Sequence, residues 1–164
     1  MLRSFPRPVA KSEPVCWRAA NVSKATILLA DDNPGVHNVV RSVLEPQFEI
    51  VGSVYDGQTL IEATAKLRPD LIVTDLAMPV LNGLEAAEKL KKSGSITPIV
   101  FLTVHTAPDI IKACCDAGGV HVSKFGMAVD LLPAIHAALQ TNGNRPAQVP
   151  DAKEPPLRTP ASQG

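Results

Sequence analysis

The stretch Ala25-Thr26-Ile27-Leu28-Leu29-Ala30-Asp31-Asp32 joins a short apolar run to two adjacent carboxylates. Apolar runs of this length, bounded by polar residues, are typical of strands buried in a parallel sheet. Four further runs of the same kind follow along the chain, at residues 48–54, 71–74, 99–102 and 119–122. The sequence therefore predicts five short strands, the first of which ends at an acidic pair.

Between these runs the apolar residues recur at the spacing of amphipathic helices. In the first such segment Val36, Val40 and Leu44 show this spacing, and Pro34 suits the start of a helix. Five strands alternating with five helices predict an α/β fold, in which a parallel sheet is doubly wound by helices on both faces. Right-handed crossovers allow the flavodoxin-like strand order 2-1-3-4-5.

The ordered domain is predicted to span residues 25–140, which is long enough for one self-standing core. Residues 1–24 and 141–164 contain many prolines and few large apolar residues, so both are predicted to be disordered tails. Only Trp17 and Cys16 suggest that the first tail docks anywhere.

Composition excludes several classes of function. The formal net charge is zero, which gives no electrostatic footprint for nucleic acid. The chain has neither an apolar run of about 18 residues nor the apolar region of a secretory signal, so no membrane span or export is expected. The 3 cysteines, Cys16, Cys114 and Cys115, predict free thiols in a reducing cytoplasm.

Polar side chains follow the predicted strands where each strand ends. They are Asp31, Asp32, Asp75, Thr103 and Lys124. Because sites in open parallel sheets lie at the carboxyl ends of the strands, these side chains are expected to converge on one edge. Adjacent carboxylates repel each other and need a cation, and Mg²⁺ prefers oxygen ligands. The sequence therefore predicts a Mg²⁺ site, to which the backbone carbonyl of Ala77 adds an oxygen, and a carboxylate able to hold a phosphoryl group at Asp75.

Each of these residues taken alone has a simpler explanation. Asp31 and Asp32 precede Asn33-Pro34-Gly35, which is typical of a turn and helix cap. A single lysine is usually a solvated surface residue. The prediction therefore depends on the joint placement of the polar residues at successive strand ends.

The same landmarks resemble a known family. Asp31-Asp32, the block from Ile72 to Gly83, Phe101-Leu102-Thr103 and Ser123-Lys124 are similar to the receiver domain of two-component response regulators. Within the block, Asp75, Met78, Pro79 and Gly83 make a specific pattern, and the resemblance extends from about Thr26 to Gln140.

The resemblance implies roles for these residues. Asp75 would accept a phosphoryl group from a sensor histidine kinase or phosphotransfer protein. Asp32 and Asp75 would bind Mg²⁺ directly, Asp31 would help through water, and Thr103 and Lys124 would contact the phosphoryl oxygens. The chain would then be a signalling switch and not an enzyme.

Three positions depart from the family pattern. His121 stands three residues before Lys124, where an aromatic switch residue is usual, and we expect it to act in that role with added pH sensitivity. The alternative, a half-exposed histidine without a signalling role, stays open. Phe125 replaces a frequent proline, and Val104 follows Thr103 where a smaller residue is common. Because Ala77 cannot orient a hydrolytic water and Val104 is bulky, the resemblance also implies slow self-dephosphorylation.

The output of the domain is harder to predict. Residues after Gln140 are too few for a DNA-binding helix-turn-helix, so no direct DNA binding is expected, and the target would be another protein. Homodimer formation is left open. A phosphatase would need a second aspartate at Ala77, and a flavin phosphate would be repelled by Asp31 and Asp32, so the serious alternative is a receiver-like interaction module that works without phosphorylation.

Overall fold

Five parallel strands form one sheet in the order β2-β1-β3-β4-β5 in the computed structural model, which describes residues 23–142. The strands are β1 (Thr26–Ala30), β2 (Glu49–Val54), β3 (Leu71–Thr74), β4 (Ile99–Thr103) and β5 (Val120–Ser123). The helices are α1 (Pro34–Leu44), α2 (Gly57–Leu67), α3 (Gly83–Lys92), α4 (Pro108–Asp116) and α5 (Met127–Asn142). The predicted fold class and strand order are confirmed.

The boundaries differ from the prediction by one or two residues. Phe48 lies outside β2 because its backbone N–H bonds the carbonyl of Leu44, at the end of α1. Thr103 belongs to β4, where it pairs with Ser123 of β5. The last helix continues to Asn142, and most of the predicted tails, with Trp17 and Cys16, lies outside the described residues.

The sheet is covered on both faces because its strand residues alternate in direction. Ile27 and Leu29 face a core layer between the sheet and the helices α1 and α5. Leu131 and Ile135 of α5 pack into this layer from the other side. Leu28 and Ala30 face the opposite layer, formed with α2, α3 and α4. No helix within the described part of the chain is long and apolar enough to cross a membrane.

The loops after β1 and β3 position the acidic residues. Asn33 caps α1 by accepting a hydrogen bond from the backbone of Gly35, so the helix starts directly after Asp31 and Asp32. Gly83 starts α3 against the strand end, and a Cβ built there would lie 2.1 Å from the carbonyl oxygen of Asp75. Only glycine therefore allows this close approach of α3 to Asp75.

The loop between β3 and α3 contains a strained turn. Val80 has φ of 66°, and the flanking residues are joined by a hydrogen bond from the Leu81 N–H to the Pro79 carbonyl. A β-branched residue in this region is unusual and costs on the order of 1–3 kcal/mol. The strain lies in the loop that follows Asp75.

Candidate functional site

Three carboxylates meet at the carboxyl edge of the sheet. Asp31, Asp32 and Asp75 each place an oxygen within 4.8 Å of the others. The neighbouring strands β1 and β3 bring them together, since Ala30 pairs with Thr74 in the sheet. Asp31 and Asp75 are 3% and 6% exposed, whereas Asp32 faces solvent, so the cluster is buried on one side and open on the other.

The ammonium of Lys124 bridges the two buried carboxylates. Its Nζ lies 2.6 Å from Oδ2 of Asp31 and donates to Oδ2 of Asp75 at 2.7 Å. The side chain is only 12% exposed. Burial acts to lower the pKa of Lys124, but its hydrogen bonds and the charges of Asp31 and Asp75 outweigh burial, so this pKa lies above its ordinary value.

The carboxylate of Asp75 is held through both oxygens. Oδ1 accepts a hydrogen bond from the backbone N–H of Leu76 at 2.6 Å, and Oδ2 accepts from Lys124. The Asp75 N–H in turn donates to the carbonyl of Ala30 at 2.8 Å. The Asp75 side chain is therefore oriented by Leu76 in the loop after β3 and by Lys124 after the end of β5.

The Thr103 hydroxyl sits at the end of β4 and is completely buried. Its Oγ1 accepts a hydrogen bond from the backbone N–H of His105 at 3.1 Å. The backbone of Thr103 also accepts from the N–H of Lys124 at 2.8 Å. Thr103 is thus bonded through its backbone to Lys124, which bridges Asp31 and Asp75. Its hydroxyl instead contacts the loop that follows β4, at His105.

His121 connects β5 to the same loop. Its Nε2 lies 3.0 Å from the carbonyl oxygen of His105. Because a carbonyl only accepts, Nε2 carries the proton and donates. His105 is therefore bonded through its N–H to Thr103 and through its carbonyl to His121. These two hydrogen bonds link the Thr103 hydroxyl to the half-buried ring of His121 on β5, the edge strand of the sheet.

The donor set fits a hard divalent cation. The three carboxylates supply oxygen ligands in one small space, and one of them is open to solvent, as suits an ion that keeps several waters. Among residues 23–142, no hydrogen-bond donor occupies the carbonyl oxygen of Ala77. Oδ1 of Asp31 accepts from the N–H of Asn33, which orients this carboxylate. The cluster is thus a site able to hold a metal ion.

One buried polar residue near the site was missed from the sequence. His37 is 4% exposed, and neither ring nitrogen has a hydrogen-bond partner among the described residues. Its spacing to Val40 and Leu44 is helical, and this periodicity is the signal that would have placed it on the inward face of α1. The ring stacks on Tyr55, with centroids 4.9 Å apart.

The doubly wound fold and its acidic edge define a signalling domain of the receiver class. The sequence of residues 27–136 matches the family described as the response regulator receiver domain. The chain belongs to this family. Receiver domains bind Mg²⁺ at an acidic pocket and interact with histidine kinases or phosphotransfer proteins.

Curated relatives resemble the chain over the same region. The nitrate/nitrite response regulator protein NarL of Escherichia coli strain K12 is 37% identical over 122 residues, which cover 73% of this chain and 56% of that protein. The transcriptional regulatory protein PdtaR of Mycobacterium tuberculosis strain H37Rv is 35% identical over 116 residues, 69% of this chain and 56% of that protein. The chain therefore spans about half the length of these relatives.

Solved structures agree with the fold. The isolated REC domain of RcsB from Salmonella enterica serovar Typhimurium, determined with the phosphomimetic BeF3-, is 31% identical with a TM-score of 0.65. The match covers 73% of this chain and 90% of that one. The expected absence of DNA binding stays a prediction, because the chain matches only part of relatives described as transcriptional regulators.

Proposed function

We propose that this protein is a phosphorylation-dependent switch, in which Asp75 accepts a phosphoryl group from a histidine kinase or phosphotransfer protein. The observation that carries the proposal is the placement of Lys124, whose ammonium touches both Asp31 and Asp75. A buried cation beside a strand-end carboxylate supplies the charge that a transferred phosphoryl group needs.

Asp75 is suited to act as the nucleophile. In the proposed transfer, a carboxylate oxygen of Asp75 forms a bond to phosphorus while the bond from phosphorus to the donor nitrogen breaks, which leaves a mixed anhydride on Asp75. The Leu76 N–H and Lys124 hold the two carboxylate oxygens and limit rotation of the group. This orientation before reaction lowers the entropic cost of transfer.

Asp32 and Asp75 would hold Mg²⁺ directly, Asp31 would assist through water, and the Ala77 carbonyl would complete the protein ligands. When bound, the ion would offset negative charge on the transferring group. Three carboxylates and one ammonium sum to a charge of −2 at the cluster, which a divalent cation balances.

The switch would run from Thr103 to His121. We infer that the Thr103 hydroxyl turns to donate to a phosphoryl oxygen, which frees the His105 N–H it now accepts from. Since the His105 carbonyl is bonded to His121, this change would displace the loop and the ring on β5 together. A local charge event would thereby alter a surface that a protein target reads.

The donor protein would contact an apolar rim beside the site. Phe125 directly follows Lys124 and is 85% exposed, and Val129 is 75% exposed one helical turn further on. Contiguous exposed apolar patches are typical of protein interaction sites, and the proposed contact is a patch formed by these two side chains. Free Cys114 and Cys115 are consistent with work in the cytoplasm.

Labelling tests the proposal. The full chain should take up phosphate from radiolabelled acetyl phosphate only with Mg²⁺ present, and Asp75→Asn should abolish uptake. Asp116→Asn is the matched control, because Asp116 is exposed and its ion pair within the described part of the chain is with Lys112 on α4. A wild-type chain that folds but is not labelled by acetyl phosphate or by any histidine kinase would favour the phosphorylation-independent interaction module.

A further inference from the structure

The imidazole of His37 is the one buried titratable side chain near the acidic cluster, among residues 23–142, that the proposed function does not use. It is 4% exposed, and neither Nδ1 nor Nε2 forms a hydrogen bond with a described residue. Tyr55 stacks on the ring with an interplanar angle of 17°. The ring is therefore buried by apolar and stacking contacts, and none of the described residues uses its nitrogens.

A neutral imidazole always carries one N–H donor and one acceptor nitrogen. Burial lowers the pKa of His37, and the charges of Arg41 and Lys124 act in the same direction. The charge and backbone carbonyl of Asp31 oppose this shift, but neither group meets the ring in hydrogen-bonding geometry. Leaving a buried donor unpaired destabilises the folded state, so a histidine that only fills space would be unfavourable at this position.

The ring faces a small cavity that reaches the acidic cluster. Its walls are mostly apolar, from residues of β1, α1, β3 and β4, while its polar side chains come from His37, Asp31, Thr74 and Asp75. The cavity volume of about 10 Å³ is at the lower limit for one water molecule, and a buried water needs two to four polar partners. The Thr74 hydroxyl donates to the Asp75 carbonyl, so it retains lone pairs to accept a hydrogen bond.

Asp31 is the charged neighbour of the cavity that can accept a further hydrogen bond. Its Oδ1 accepts from Asn33, and Oδ2 is buried 2.6 Å from the ammonium of Lys124, but each carboxylate oxygen has a second lone pair. A cation that binds Asp31 competes with Lys124 for Oδ2 of this residue. A second group that orients Asp31 would therefore help to keep the carboxylate in place.

We propose that His37 is a positioning residue for the cation site, and that its ring N–H, through one water in the cavity, hydrogen-bonds Asp31 and orients this carboxylate. The inference rests on the proposed function, because it takes the aspartate cluster as a divalent cation site. Groups that orient metal ligands in this way typically change metal affinity by about 10–100-fold when they are removed.

Calorimetric titration of the unphosphorylated full chain with MgCl₂ tests the inference. His37→Leu keeps an apolar side chain of related size but removes both nitrogens, and it should weaken Mg²⁺ binding about tenfold. His37→Gln retains a donor and should recover most of the affinity. Tyr55→Leu removes the stacked partner without removing a ring nitrogen, so it should leave Mg²⁺ affinity near that of the wild type.

Two results would overturn the inference: a His37→Leu variant that binds Mg²⁺ as tightly as the wild type, or a Tyr55→Leu variant weakened as much as His37→Leu. The second would mean that packing alone explains the effect. Failure of the proposed function is seen separately, as a wild-type chain that neither binds Mg²⁺ nor is labelled at Asp75.

Nuclear magnetic resonance of the wild-type chain covers the case in which the His37 variants do not fold. The ring N–H of His37 should exchange slowly with solvent and shift when Mg²⁺ is added. A ring signal that exchanges rapidly, or that does not respond to Mg²⁺ while the Asp31 resonances do, would contradict the proposal.

Discussion

Nζ of Lys124 lies 2.6 Å from Oδ2 of Asp31, although the two residues are far apart in the sequence. Asp31 directly follows β1, and Lys124 directly follows β5. The same ammonium donates to Asp75 at 2.7 Å. Lys124 therefore supplies the single positive charge that contacts the aspartate cluster among the described residues. Because the same carboxylates contact Lys124 and would bind a cation, both the stability of the domain and cation binding depend on the charge at this cluster.

Removal of the ammonium should destabilise the protein unless a cation replaces it. Lys124→Gln leaves two buried carboxylates unpaired, and breaking a buried pair costs about 3–5 kcal/mol. The free energy of unfolding, measured in urea without Mg²⁺, should fall by about 3 kcal/mol, and Mg²⁺ should restore part of it.

The matched control for Lys124→Gln is Lys112→Gln, because the Lys112–Asp116 pair is exposed and should leave stability nearly unchanged. The pKa of Lys124 is raised, so its stabilising effect is fully present below the ordinary value of 10.5 and is lost as the pH rises through the higher folded value. Equal stability of the two variants at neutral pH would contradict this account of the site.

Phe125 should govern recognition of a protein donor and not the chemistry. Phe125→Ser removes an 85% exposed apolar group while leaving Lys124 in place. Transfer from a cognate histidine kinase should slow about tenfold, since exposed aromatic anchors contribute strongly to interfaces. Labelling by acetyl phosphate, which needs no protein contact, should be unchanged, and an equal loss with both donors would refute the proposed rim.

His121 should couple phosphorylation to the surface of β5. The Nε2–H contact to the His105 carbonyl joins β5 to the loop whose His105 N–H donates to the Thr103 hydroxyl. Binding of BeF3- with Mg²⁺ should therefore shift the amide signals of β5 through this contact.

His121→Phe should reduce those shifts, because a phenyl ring cannot donate a hydrogen bond to the His105 carbonyl. The measurement is the same set of amide shifts, taken in the variant. If wild type and His121→Phe respond identically to BeF3-, His121 has no switch role and is simply a half-buried residue of the edge strand.

The lifetime of the phosphorylated form should depend on residue 77. The Ala77 side chain has no polar atom to position water, so the isolated phosphoprotein should lose phosphate slowly. Ala77→Asn places an amide beside the site and should shorten the lifetime about tenfold by orienting water. The decay of radiolabel measures this, and a wild-type half-life of only seconds would contradict the prediction.

The adjacent cysteines should differ in reactivity. Burial raises the pKa of Cys114 to about 11, with a further contribution from Cys115, so Cys114 stays a protonated thiol at neutral pH. Cys115 is exposed. Iodoacetamide near neutral pH should therefore modify Cys115 and spare Cys114 until the chain unfolds, as mass spectrometry of digested peptides would show.

The order of the elements could be predicted because hydrophobic periodicity is local. The run before Asp31 and the run before Asp75 are short and apolar, and alternation with helical segments leaves few ways to build the sheet. Boundaries were less predictable. Thr103 joins β4 because Ser123 pairs with it, and this pairing depends on a strand that is distant in sequence.

The sequence by itself determined the fold and the chemical types at the edge of the sheet, because parallel strands end at a common edge whatever their exact packing. Only the tertiary structure decided that one ammonium bridges Asp31 and Asp75, and that the His105 backbone joins Thr103 to His121. It also decided that His37 is buried with no hydrogen-bond partner for its ring nitrogens among residues 23–142. These contacts depend on side-chain directions and loop paths, which are set by the packing of segments that lie far apart in the chain.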